Sequence, residues 1–89
     1  MTYLHIIKPD LQKTLQKLSK KDKKTYEIAL AKIEEIITCP DINHYKNLKK
    51  PKQHLKRVHI HKSFVLTFSF DASQNFISFE YMEHHDDAY

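Results

Sequence analysis

Apolar side chains recur along this chain at two spacings, and the switch between them divides it. Leu11, Leu15 and Leu18 stand at i, i+4 and i+7, which predicts a helix of about ten residues with one apolar stripe. Pro9 suits its first turn. Ser19 followed three residues later by Asp22 resembles a capping box that opens a second helix. Tyr26, Ala29, Leu30, Ile33, Ile36 and Ile37 hold helical spacing until Thr38-Cys39-Pro40, where the residue before proline is pushed out of helical geometry. Two helices joined this closely predict an antiparallel hairpin.

Beyond Pro40 the period becomes two. Residues 44–54 are polar and lysine-rich with Tyr45 and Leu48 as anchors, and read as a loop entering a strand. Leu55, Arg57, His59 and His61 then alternate with Lys56, Val58, Ile60 and Lys62, so the first set shares one strand face and the second set faces the helices. Phe64 to Phe70 is nearly all apolar, as a central strand is. Asp71 to Asn75 carries turn chemistry, and Phe76 to Glu83 returns as a strand, with Ile77, Phe79 and Tyr81 predicted on one side. Ahead of the helices, Tyr3 to Ile7 is β-prone. The order is β-α-α-β-β-β. It predicts an α+β fold, with a helical hairpin packed on one face of an antiparallel sheet. The first strand pairs either at an edge of that sheet or beside its centre.

Composition narrows the possible functions. Eighty-nine residues, 40% of them hydrophobic, make a single domain spanning 1–89 with one modest core. Cys39 is the only cysteine; this fits a reducing cytosol, and its place before Pro40 reads as a small core residue rather than a nucleophile. No 18-residue apolar run and no signal peptide appears, so a cytoplasmic protein without a membrane partner is expected. The chain has no glycine, which excludes the P-loop and the dinucleotide fingerprint and argues against a nucleotide cofactor.

Charge is segregated. The net charge is +4, yet residues 43–62 hold seven Lys or Arg and four His with no acid, while residues 71–87 hold five acids and no Lys or Arg. The six lysines Lys13, Lys17, Lys20, Lys21, Lys23 and Lys24 read either as a solvated helical face or as a phosphate-tracking one. Arg57, His59 and His61 lie about 7 Å apart in succession along one strand face. With Lys46, Lys49, Lys50 and Lys52 approaching from the preceding loop, they suit a phosphate cradle, Arg57 acting as a planar fork and the lysines as point charges. The plainer alternative is a charged outer sheet face.

The ending, Glu80-Tyr81-Met82-Glu83-His84-His85-Asp86-Asp87-Ala88-Tyr89, gathers groups that move protons. Histidine as a residue type changes charge near neutral pH and serves as general acid or base. Asp86 or Asp87 can hold an imidazole tautomer, and Tyr89 can donate a proton or stack on a base. A polar tail without a function is the plain alternative. A divalent metal is a further one, but adjacent histidines on a strand point to opposite faces and chelate one ion poorly.

The order β-α-α-β-β-β, the loop Tyr45-Lys46-Asn47-Leu48-Lys49-Lys50, the strand Leu55-Lys56-Arg57-Val58-His59-Ile60 and the ending His84 to Tyr89 together resemble the RelE/ParE toxin superfamily. The likeness is greatest to the RelE-like mRNA interferases of type II toxin–antitoxin modules, and it covers nearly the whole chain. It implies the RelE-like microbial RNase fold and a ribosome-dependent, metal-independent mRNA endoribonuclease with no cofactor. In that reaction the 2′-hydroxyl of one nucleotide attacks the adjacent phosphate and the 5′-oxygen leaves. The resemblance implies a cognate antitoxin, the ribosome with its RNA, and mRNA as partners. It assigns catalytic parts to Arg57, His59, His85 or its neighbour His84, and Tyr89, and RNA contacts to Lys46, Lys49, Lys50, Lys52 and His61. One departure stands out: the arginine that many members carry early in the third strand is absent from Phe64-Val65-Leu66-Thr67. The alternative within the same superfamily is a non-catalytic ParE-like toxin, or an inactive relative, that binds a topoisomerase or an antitoxin.

Overall fold

The computed structural model describes residues 3–40, 42, 45, 55–61 and 64–84. The element order is β1 (Leu4–Ile7), α1 (Pro9–Lys21), α2 (Lys23–Ile37), β2 (Leu55–His59), β3 (Phe64–Asp71) and β4 (Phe76–His84). This is the expected α+β order. The strands form one sheet in the order β1-β4-β3-β2. β2, β3 and β4 make the expected antiparallel meander. β1 lies at the edge and runs parallel to β4, so the sheet is mixed. A helical hairpin goes out and comes back, which returns the chain to the end where it began: the Tyr3 N–H donates to the Ile37 carbonyl at 2.8 Å.

The helices obey the leucine and isoleucine spacing with two adjustments. α1 runs 13 residues, to Lys21, and Ser19 turns its hydroxyl back onto the Gln16 carbonyl instead of capping α2. The cap is Asp22, whose carboxylate accepts from the Thr25 N–H at 3.2 Å and the Thr25 hydroxyl at 2.7 Å. It thereby satisfies an amide that the helix start leaves unpaired. On α2, Ala29, Ile33 and Ile36 are buried, while Leu30 falls at the margin of the stripe and is exposed. Cys39 is half-buried and packs on the core.

One face of the sheet takes the hairpin. Leu11, Leu15 and Leu18 of α1 and Ala29, Ile33 and Ile36 of α2 meet Leu66, Phe68, Ile77, Phe79 and Met82 of the sheet, with Ile42 and Tyr45 closing the cluster. Tyr45 is the aromatic anchor expected of its segment: its ring sits edge-on to Phe68 at 5.6 Å and its hydroxyl donates to Glu35 Oε1 at 2.9 Å.

β4 departs from simple alternation. Its register against β3 slips by one between Tyr81, opposite Thr67, and Phe79, opposite Phe68. Glu80 is the extra residue of a β-bulge, so the strand faces exchange beyond it. The sequence pattern put Tyr81 beside Ile77 and Phe79; the bulge instead puts Met82 in that buried layer, 6% exposed, and turns Tyr81 to the other face.

Candidate active site

The face turned away from the helices carries two of the predicted site residues, Arg57 and His59. β2 and β4 both run antiparallel to β3, so they share a direction and end at the same margin of the sheet. Residues paired across a sheet share a face. Lys56 pairs with Phe68 and Val58 with Leu66, on the helix-packed side as predicted; Arg57 and His59 therefore occupy the outer face. Arg57 is half-buried and His59 exposed. His61 lies just past β2 in the turn to β3, its carbonyl accepting from the Phe64 N–H at 3.3 Å.

Two cross-strand rows build the patch. Arg57, Thr67 and Tyr81 form one, and His59, Val65 and Glu83 form the next. Strands are spaced about 4.8 Å apart, so β2 and β4 groups stand roughly 10 Å apart across β3, and the two rows about 7 Å apart along it. Val65 and Thr67 make the floor, only 1% and 4% exposed. Val65 is buried without belonging to the helix-packed cluster. The patch is thus a cationic wall on β2 and a tyrosine and a carboxylate on β4, separated by roughly 10 Å.

The acids of β4 differ in their surroundings. Glu80, at the bulge, accepts from the Ser69 hydroxyl at 3.2 Å and approaches Lys8 Nζ at 3.8 Å. Tyr81 and Glu83 are half-buried, and neither side chain makes a hydrogen bond or ion pair with a described residue. Neither was singled out from the sequence. The available signal was the spacing of three between Phe79 and Met82, which breaks a period of two.

His84 goes elsewhere. It pairs with Phe64 on the helix-packed face and meets that ring edge-on at 5.5 Å, so the sheet separates it from Arg57 and His59. Lys56, predicted on the helix side, is only 7% exposed, and its ammonium donates to the Tyr45 carbonyl at 3.2 Å. The remaining predicted groups, Lys46, Lys49, Lys50, Lys52, His85 and Tyr89, lie outside the described residues. Among the described residues, no three His, Cys, Asp or Glu side chains are placed to hold a metal ion, and no helix is long and apolar enough to cross a membrane.

The chain matches no protein-family model. It is 51% identical over 83 residues to "Putative toxin RelE4" of Methanocaldococcus jannaschii, covering 93% of this chain and 86% of that protein. The chain belongs to the RelE-like toxin superfamily. Solved RelE structures share its fold. A double arginine-to-alanine mutant of Escherichia coli toxin RelE in the free state matches with a TM-score of 0.74 at 15% identity, over 99% of this chain and 88% of that one. A chain of the RelBE2 toxin–antitoxin complex of Mycobacterium tuberculosis matches with a TM-score of 0.72 at 13% identity, over 94% and 99%. Within this RelE-like chain the edge strand β1, the helical hairpin and the meander are all present, and β2 carries Arg57 and His59 on the face that the helices leave uncovered.

Proposed function

We propose that this RelE-like toxin is a cytoplasmic, ribosome-dependent mRNA endoribonuclease that cleaves without a metal and is neutralised by an antitoxin protein. The observation that carries the reading is the Arg57–His59 wall on the outer sheet face, ending at the margin of the sheet where β4 also ends. The 2′-hydroxyl attacks the adjacent phosphorus while the bond to the 5′-oxygen breaks. Negative charge grows on the phosphate oxygens, and fixed cations stabilise it most in the transition state. Arg57 offers a planar fork to two phosphate oxygens, and His59 adds a second donor one row along. His84 being on the other face, the tail's proton-transfer part falls to His85, which gives a proton to the leaving 5′-oxygen. Tyr89 stacks on a base, and Lys46, Lys49, Lys50, Lys52 and His61 hold the RNA backbone. An acidic antitoxin that covers the same cations would block the site; a toxin–antitoxin complex among the fold relatives supports this.

A second reading, a ParE-like or inactive relative that acts by protein binding, is favoured by one feature. Val65 sits in the patch floor, in the strand run that lacks the family's arginine. Induced expression without antitoxin separates the two. Growth arrest with truncated mRNA is expected; growth arrest with DNA-damage signalling and intact mRNA would establish the second reading.

A further inference from the structure

The groups assigned above leave one part open: what takes the proton from the 2′-hydroxyl. We infer that Glu83 is that base. This rests on the endoribonuclease reading and deepens it. The β-bulge at Glu80 turns Glu83 out of the helix-packed face and into the row His59–Val65–Glu83. Bulges recur beside active sites because one extra residue re-aims the side chains that follow it. Without the bulge, period-two alternation from Phe79 would set Glu83 in the core layer, where an unpaired carboxylate is costly to bury.

Glu83 also has the chemistry. It stands roughly 10 Å from His59 across the strand between them, which leaves space for a nucleotide's ribose and phosphate. Its half-buried carboxylate has no hydrogen-bond or ion-pair partner among the described residues, whereas the neighbouring Glu80 is held by Ser69 and Lys8. A carboxylate used to hold the fold is tied as Glu80 is. In the reaction the Glu83 carboxylate takes the hydroxyl proton as the 2′-oxygen bonds to phosphorus. The bond from phosphorus to the 5′-oxygen breaks, and the imidazolium of His85 protonates that oxygen. The products are a 2′,3′-cyclic phosphate and a 5′-hydroxyl. One proton enters Glu83 and one leaves His85, so charge and atoms balance.

The test is the single-turnover rate of mRNA cleavage on mRNA-programmed ribosomes by the parent, Glu83→Gln and Arg57→Ala, with ribosome binding measured in parallel. Glu83→Gln keeps the side chain's shape and exposure, so circular dichroism should match the parent. The expected result is a rate loss of about 10²- to 10⁴-fold for Glu83→Gln, with binding unchanged or tighter. A Glu83→Gln rate equal to the parent's, alongside a large loss in Arg57→Ala, would overturn the inference and keep the endoribonuclease reading. Cleavage that survives both substitutions unchanged, or no cleavage by the parent, would overturn the two together.

Discussion

Tyr45 shows how much one side chain decides. Its ring fills the core against Phe68, its hydroxyl donates to Glu35, and its carbonyl accepts the buried Lys56 ammonium. Burial first, and then the Glu35 carboxylate, push its phenol well above the ordinary value of 10.0. Tyr45→Phe keeps the ring and loses one hydrogen bond, so a destabilisation of about 1–2 kcal/mol is expected in urea unfolding near pH 8. The pH dependence has a definite sign. Above about pH 10 the unfolded chain gives up this proton while the folded chain keeps it, so the folded state loses stability as pH rises. The contribution is fully present below pH 10. The stability gap between parent and Tyr45→Phe should therefore narrow as pH rises above about 10; a constant gap would contradict the Tyr45–Glu35 assignment. Arg57 and His59 were legible from the sequence because β2 is short and regular, and two apolar residues fix its faces. The Lys56–Tyr45 contact was not, since it joins residues 11 apart whose approach depends on how the chain turns between them.

At the scale of elements, period 3.6 located both helices, period 2 located β2 and β4, and a nearly continuous apolar run located β3, because each pattern follows directly from which positions must leave water. What failed was the face assignment at the end of β4. A bulge has no composition of its own here: Glu80 looks like any outward residue, and only the pairing with β3 shows that it is supernumerary. The side of the sheet taken by Tyr81 and Glu83, and with it half of the candidate site, depended on that single residue. A pair of substitutions tests it. Met82→Ala should cost about 2–5 kcal/mol, as removal of a buried side chain does. Tyr81→Ala should cost well under that, in the range of substitutions outside the core. Denaturant midpoints in the reverse order would restore unbroken alternation along β4. The placement of β1 was undecided in the sequence for a related reason. Four residues, Leu4 to Ile7, carry no pattern that distinguishes edge from centre, and the parallel pairing follows from the return of the helical hairpin to the Tyr3 end.

For the whole molecule, the segregation of charge seen in the sequence becomes an arrangement in space. The acid-free segment supplies β2, the acid-rich segment supplies β4, and β3 holds them at a fixed distance on the face opposite the helices. That arrangement sets Arg57 and His59 on one side of the outer face and Tyr81 and Glu83 on the other. The most direct measurement is cleavage of ribosome-bound mRNA by the purified protein in EDTA-free buffer and after brief chelation of trace transition metals, with the 5′ ends of the fragments mapped. Cuts at discrete positions in ribosome-bound mRNA are expected, equal in both buffers and lost in Arg57→Ala and His85→Ala. Intact mRNA, or cleavage by both variants at the parent rate, would contradict the endoribonuclease reading.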